Sequence, residues 1–168
     1  MRHEAHESRV SEAEALENPG LVEVTDGPWA GWRRWKQGAD FEEHSGPFYC
    51  RPEGKSIQCG FRPDAKNRNG GGSIHGGALV TFADYIAVMA TFGADASLRG
   101  VTLTINCEFV GSAAPGQLLT GRGEVVRVGN SVIFVRGMID DAGRPVLNFS
   151  ATIKRVRKRL SSRVLAPQ

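Results

Sequence analysis

Cysteine is scarce in this chain of 168 residues. The three cysteines, Cys50, Cys59 and Cys107, are odd in number and never form a C-x-x-C pattern. This pattern argues against a disulfide scaffold and a thiolate zinc site, and it is typical of buried free thiols in a reducing cytoplasm. The four histidines, at positions 3, 6, 44 and 75, show no H-x-x-x-H spacing, so no metal site is predicted.

Long apolar runs are also absent. No stretch of eighteen consecutive apolar residues occurs, and the opening MRHEAHESRV contains no apolar signal core. We therefore expect no membrane-spanning segment, no secretory leader and a cytoplasmic location. The length is that of one domain, 40% hydrophobic residues suffice for a packed core, and 21 glycines favour turns and strands over a helical bundle.

Charge is distributed unevenly along the chain. The net charge of +3 combines −5 over residues 1–45, +2 over residues 46–153 and +6 over the last fifteen residues, KRVRKRLSSRVLAPQ. A basic tail can bind nucleic acid or an anionic ligand, but a bare run of this kind is more often a solvated chain end. Residues 157–168 are predicted to be such a tail, with no nucleic-acid partner.

Residues 1–45 are predicted to form an N-terminal extension. The run SEAEALEN has helical composition, and the following NPG ends it, so this part is expected to be a helix or a mobile arm. All three tryptophans, Trp29, Trp32 and Trp35, follow at a spacing of three. That spacing predicts a short helix with the three rings on one face, which pins the extension onto the body of the protein.

Strand-like runs dominate from residue 46 onward. PFYCR and SIQCGFR, separated by PEGK, predict a hairpin. Later in the chain, VTLTINCEFV, QLLTGRGEVVRV, SVIFVRGMID and RPVLNFSATIKRV are separated by turn residues and predict a four-stranded antiparallel meander. Alternation in the first of these four runs predicts one shared face for Val101, Leu103, Ile105, Cys107 and Phe109.

Between the hairpin and these strands lies one long apolar segment, Ala78 to Phe92, ended by Gly93. It is too long for a strand and is predicted to be a buried helix wrapped by the sheet. Asp84 is its sole charged residue. Because a buried carboxylate without a partner is costly, Asp84 is a candidate catalytic or ligand-binding acid. The alternatives are an exposed edge position and a structural hydrogen bond to a neighbouring strand.

The start of this helix, His75-Gly76-Gly77, presents backbone N–H groups that have no partner inside the helix. Such donors, at the positive end of the helix dipole, suit a carbonyl oxygen that gains negative charge. His75 is either a helix cap or a general base. Asp84 lies nine residues beyond His75, ~13.5 Å along the helix and two and a half turns away, so one helix cannot place both features at one carbonyl. A second, antiparallel copy of the helix would do so, which predicts a two-fold dimer with shared sites.

These residues resemble hotdog-fold acyl-CoA thioesterases of the phenylacetyl-CoA-thioesterase-like (PaaI-like) branch. The signature H-G-G-x6-D reads HGGALVTFAD here, from His75 to Asp84. The resemblance covers about residues 46–156 and implies an α+β hotdog fold, in which an antiparallel sheet wraps a long central helix. Residues 1–45 have no counterpart in the minimal domain of that family.

The resemblance also implies a function and a set of site residues. The chain would hydrolyse an acyl-CoA thioester to the free acid and coenzyme A, as a homodimer or homotetramer without a cofactor. The Gly76 N–H would polarise the carbonyl, and the partner's Asp84 would act as nucleophile or as general base on water. Asn69, six residues before His75, would position the water or the thioester. The remaining expected substrate-binding residues are His75, Gly77, Thr102, Arg127, Gly129, Asn130 and Ser131, with Thr102 bonded near the acid and the last four against coenzyme A.

Two other functions compete with hydrolysis. A hotdog hydratase or dehydratase would need His75 as a catalytic group rather than as a cap. A non-catalytic acyl-CoA-binding dimer would need the pocket but not Asp84. The chain also contains GGSIH, which lacks the second glycine of a serine-hydrolase elbow, and NRNGGGS, which lacks the lysine of a phosphate-binding loop.

Overall fold

The structure is a computed structural model and describes residues 20–36, 40–54, 56–94 and 100–156. The predicted helix or arm over residues 1–19 and the predicted basic tail, residues 157–168, lie outside these described residues. Within them the chain forms eight strands, two α-helices and two short 3-10 turns, at Gly27–Trp29 and Ala65–Asn67. The elements in chain order are β1 (Leu21–Glu23), β2 (Arg33–Trp35), α1 (Asp40–Ser45), β3 (Phe48–Glu53), β4 (Ser56–Phe61), α2 (Gly76–Ala94), β5 (Gly100–Phe109), β6 (Leu119–Val128), β7 (Val132–Asp141) and β8 (Arg144–Arg155).

All eight strands form one antiparallel sheet, in the order β1-β2-β3-β4-β6-β7-β8-β5. The sheet wraps α2, whose ten buried residues form the centre of the core. Two glycines of β6 let the helix approach closely. A Cβ at Gly121 would clash with the Ile86 side chain, and one at Gly123 would lie 2.8 Å from the Cβ of Ala90. The predicted α+β fold, a long helix wrapped by an antiparallel sheet, is confirmed.

The helix α2 also has the length and apolar character of a membrane span, with 19 residues and a mean hydropathy of 1.5 over its best window. Its burial against the sheet explains this composition, because a helix that is enclosed by a protein core needs no polar face. Asp84 interrupts the apolar surface at a half-buried position.

The predicted hairpins are confirmed. Of the predicted four-stranded meander, three strands are confirmed and the position of the first strand, β5, is wrong. β6, β7 and β8 follow one another as a meander, and Ala142 and Gly143 form a two-residue turn with φ of 49° and 84°, as a tight hairpin requires. β5, however, pairs with β8 at the far edge of the sheet. The connection over residues 110–118 is longer than a hairpin turn and carries the chain across to the other side of that meander.

The predicted inward face of β5 is right for Ile105 and Cys107 and wrong for Val101, Leu103 and Phe109. A β-bulge between Thr102 and Thr104 shifts the pairing with β8 by one residue. Because side chains alternate along a strand, this shift reverses which residues face inward. Thr102, Ile105 and Cys107 are therefore half-buried, whereas Val101 and Leu103 are 59% and 53% exposed. Phe109, at the end of the strand, is exposed as well.

The three tryptophans do not lie on one helix. Trp29 ends a 3-10 turn, Gly31 adopts a φ of 81° that stops any helix, and Trp35 belongs to β2. β2 pairs with β1 and β3, so residues 21–35 extend the main sheet. The rings of Trp29 and Trp32 meet edge to face over Gly60 of β4, where any Cβ would lie 2.6 Å from Trp29. The tryptophans do anchor the extension, but through sheet pairing and ring packing.

Candidate active site

The helix α2 begins with a histidine cap. His75 Nδ1 accepts a hydrogen bond from Gly77 N–H at 2.8 Å, and the His75 carbonyl accepts from Ala78 N–H and Leu79 N–H. Since Nδ1 is the acceptor, the proton of the neutral ring lies on Nε2. His75 thus has the geometry of a cap. A base role, which the hydratase alternative requires, would need one of the ring nitrogens free to accept a proton.

Gly76 N–H is the first backbone donor of α2, and within the described residues it has no hydrogen-bond partner. The ring of Phe109 packs against the Cα of Gly76, at 3.1 Å from the position that a Cβ would occupy. This donor, at the positive end of the helix dipole, can bind an oxygen that carries partial negative charge.

Asp84 lies two turns further along α2 and is held by β5. Thr102 Oγ1–H donates a hydrogen bond to Asp84 Oδ1 at 2.7 Å. The expected bond between these two residues is confirmed, and the bulge in β5 is what turns Thr102 toward the helix. This hydrogen bond fixes the orientation of the Asp84 carboxyl group, as a base or a nucleophile needs.

Asp84 opens into a cavity of about 440 Å³. Both helices and β5 contribute to its walls. The lining residues are Asp40, Phe41, Glu42, Val80, Thr81, Asp84 and Ile105. A second cavity of about 360 Å³ continues from Phe41 and Thr81 toward His75 and Gly77. The two cavities thus follow the exposed side of α2 from its first turn to Asp84.

Glu42 is an acidic residue of this cavity that the sequence analysis did not identify as a site residue. Burial and the negative charge of Asp84 raise its pKa from 4.5 to about 7, although the indole N–H of Trp35 donates a hydrogen bond to the carboxylate. Its Oε2 atom is buried and has no hydrogen-bond partner among the residues that the structure describes. In the sequence, Glu42 is one of three acidic residues in the stretch DFEE, which looks like a solvated helix end. No local signal separates it from its neighbours, because its burial depends on the position of Trp35.

Cys107 lies near Asp84 on β5 and is not an alternative nucleophile. Partial burial and the charge of Asp84 raise the pKa of its thiol. The reactive form of cysteine is the thiolate, which a raised pKa disfavours at neutral pH. Cys50 and Cys59 are free and fully buried in the core, as expected from the sequence. Among the described residues no three His, Cys, Asp or Glu side chains come together as metal ligands.

The structure places Asn69 in the turn before α2. Its side-chain Oδ1 accepts a hydrogen bond from Gly71 N–H at 2.9 Å, while its backbone N–H donates to Ser73. The side chain is exposed and stabilises the turn that precedes His75. The expected role of Asn69 toward water or thioester stays a prediction.

The structure does not bring Arg127, Gly129, Asn130 and Ser131 to Asp84 of the same chain. They form the end of β6 and its turn into β7, where the Ser131 carbonyl accepts from Arg155 N–H. Across the sheet, Thr102 pairs with Ile153 of β8, and Ile153 pairs with Ile133 of β7. Ile133 in turn pairs with Val128 of β6. Three strand spacings therefore separate the two regions, roughly 14 Å. Their expected contact with coenzyme A stays a prediction.

Comparison with known proteins decides the family. The family model of the thioesterase superfamily matches residues 71–148. A Pseudomonas aeruginosa protein named "Putative esterase PA0474" is 30% identical over 107 residues, which are 62% of this chain and 80% of that protein. The chain belongs to the thioesterase superfamily. It is a thioester hydrolase, as expected from the HGG signature and Asp84.

Solved structures of other proteins have the same fold as this thioesterase. A hypothetical thioesterase protein of Streptococcus pneumoniae, crystallised with coenzyme A, has a TM-score of 0.60 and 23% identity, covering 67% of this chain and 90% of its own. The Escherichia coli PaaI protein, from the phenylacetic acid degradation operon, has a TM-score of 0.62 and 20% identity, covering 71% and 89%. The predicted hotdog fold is confirmed. The family match begins at residue 71, so α1 and the first four strands, β1 to β4, lie outside it.

Proposed function

We propose that this thioesterase hydrolyses an acyl-CoA to the free acid and coenzyme A, with Asp84 as nucleophile or as general base on water. The observation that carries the proposal is the Thr102–Asp84 hydrogen bond, which holds an ionisable carboxylate at the mouth of an open cavity. General acid–base catalysis of this kind contributes ~10²–10⁴-fold to a rate. Coenzyme A in the crystal of the Streptococcus pneumoniae protein supports the substrate class.

The complete site needs two chains. Gly76 and Asp84 are eight residues apart on one straight helix, ~12 Å along its axis, and face different directions. In a two-fold dimer, the partner subunit's Gly76 would donate its N–H to the thioester carbonyl beside Asp84. β5 supports such a dimer, because it is a ten-residue strand at the edge of the sheet with one side unpaired within the described chain.

The other expected residues then surround the substrate. Asn69 would position the water or the thioester, with His75 and Gly77 fixing the start of the helix at the carbonyl. The turn from Arg127 to Ser131 of the partner subunit would contact coenzyme A. Its backbone amides and the arginine side chain suit the phosphate groups.

Release of free thiol from a panel of aryl-, short- and long-chain acyl-CoA esters tests the proposal. We expect one thiol and one acid per ester consumed, and an amide at Asp84 should remove this turnover. Glu124→Gln is the matched control, because Glu124 is an exposed carboxylate that pairs with Arg136 on the outside of the sheet. Absence of thiol release from every ester would contradict the proposal. Hydration of a crotonyl thioester without thiol release would favour the hydratase alternative.

A further inference from the structure

The N-terminal extension brings two further acidic residues, Asp40 and Glu42, to the cavity of Asp84. α1 belongs to the part of the chain that precedes the family match, yet Glu42 on this helix lines the same cavity as Asp84 on α2. The negative charge of each therefore lies within the electrostatic reach of the other. Like charges in one partly desolvated space favour a state in which one of the two carboxyls keeps its proton.

The surroundings of Glu42 favour its protonated form. Oε2 is buried and finds no hydrogen-bond partner in the described part of the chain, and an ionised carboxylate oxygen in that position is unfavourable. The charged groups that act on Glu42 within the described residues are negative: Asp84 from α2 and Glu43 from its own helix. Arg34 on the neighbouring strand β2 forms an ion pair with Glu43, with 3.0 Å between Nη1 and Oε1. Burial and this charge environment place the pKa of Glu42 at about 7.

The surroundings of Asp84 differ, because its Oδ1 atom accepts a hydrogen bond from the Thr102 hydroxyl at 2.7 Å. A partly buried carboxyl with one oxygen that has no donor among the described residues, beside a carboxyl that accepts a hydrogen bond in the same cavity, is an arrangement that suits a general acid and a general base. Hydrolysis of a thioester needs both, because the attacking water loses a proton and the leaving thiolate gains one.

We propose that Glu42 is the general acid of this site and protonates the sulfur of the departing coenzyme A. The inference rests on the proposed acyl-CoA hydrolysis. As the C–S bond breaks, its electron pair goes to sulfur and the Glu42 proton forms the S–H bond, which leaves Glu42 as a carboxylate. As a general base, Asp84 takes a proton from the attacking water, whose hydroxyl joins the acyl group. As the nucleophile, it forms an acyl intermediate that water hydrolyses, and the carboxylate of Asp84 leaves while the proton of that water goes to solvent. Glu42 recovers a proton from Asp84 or from solvent before the next turnover.

Leaving-group dependence tests this role. An alkyl thiol such as coenzyme A, with a pKa of ~8.5, gains from protonation, whereas a 4-nitrothiophenol leaves readily as the thiolate. Glu42→Gln keeps the shape of the side chain and an acceptor for Trp35. We expect it to lower kcat with an acyl-CoA by ~10²–10⁴-fold and to leave kcat nearly unchanged with the 4-nitrothiophenyl ester of the same acyl group. Glu124→Gln is the matched control, because Glu124 is an exposed carboxylate that pairs with Arg136 away from Glu42, and it should hydrolyse both esters at the wild-type rate.

The pH profile gives a second readout. The wild-type rate with acyl-CoA should fall above about pH 7, as Glu42 loses its proton, and this limb should be missing with the nitrothiophenyl ester. Equal rates of Glu42→Gln and wild type on both esters would overturn the acid role, and so would equal losses on both esters. A wild-type protein that hydrolyses neither ester would instead overturn the proposed function.

Discussion

At the scale of single residues, the same carboxyl chemistry takes three different forms in this chain. Glu53 is partly exposed and paired with Arg122, which lowers its pKa. Glu42 is partly buried beside another acid, which raises its pKa. Asp84 is half-buried and hydrogen-bonded by Thr102. The residue type is nearly constant, so the neighbours supplied by other elements determine what each carboxyl can do.

Asp84→Asn is expected to reduce kcat for an acyl-CoA by at least ~10²-fold, because an amide can neither attack the carbonyl nor take a proton from water. The melting temperature should change little, since the side-chain oxygen of the substituted amide can accept the same Thr102 hydroxyl. Steady-state kinetics and thermal melting on one variant measure both quantities. A variant that retains its rate and loses stability would identify Asp84 as a structural carboxylate.

Glu42 also makes the stability of the fold depend on pH. Its folded-state pKa of about 7 lies above the ordinary value of 4.5, so the folded state binds the proton more tightly than the unfolded state. The contribution to stability is present below pH 4.5 and is lost as the pH rises through about 7. Glu42→Gln should therefore gain melting temperature relative to wild type as the pH rises across this range. Glu124→Gln, an exposed carboxylate on the outside of the sheet, should follow the wild-type curve over this range, and parallel curves for all three proteins would contradict this explanation.

At the scale of elements, the packing of α2 against β6 depends on small residues. A Cβ on Gly123 would meet the Cβ of Ala90 at 2.8 Å, and neither atom can move without shifting the helix or the strand. Gly123→Ala is expected to destabilise the fold by ~1–3 kcal/mol, a fall in melting temperature of roughly 2–12 °C for a protein of this size. Gly70→Ala is the control, because a Cβ there meets nothing within 4 Å. Equal melting temperatures for both variants would show that the helix adjusts freely over the sheet.

At the scale of the whole molecule, a shared site can be tested by complementation. Asp84→Asn and Gly76→Val should each be inactive as homodimers, the second because a side chain at Gly76 would strike Phe109 and disturb the backbone donor. In a mixed dimer, one site combines both defects and the other contains neither. Co-expression of the two variants should restore roughly a quarter of the wild-type activity, since about half of the dimers are mixed and each has one intact site. No recovery, together with a native mass near 18.2 kDa, would show that each chain works alone.

Local sequence was sufficient for the elements that short-range contacts define. The apolar run from Ala78 to Phe92 predicted α2, and the turn residues near Ala142 predicted the last hairpin. The HGG signature and the isolated Asp84 predicted the family and the candidate reactive carboxylate. Each of these features depends on residues that are close in the chain, so spacing and residue type were enough to predict it.

Features that depend on distant parts of the chain required the three-dimensional packing. The bulge in β5 follows from its register against β8 and turns Thr102 toward Asp84. The tryptophans form a turn and a strand because β2 finds a partner in β3, which no local periodicity encodes. Glu42 becomes a partner of Asp84 because α1 packs over α2 and buries a side chain that looks solvent-exposed in the sequence. In each case the deciding free energy comes from desolvation and pairing between elements, which a single stretch of sequence does not contain.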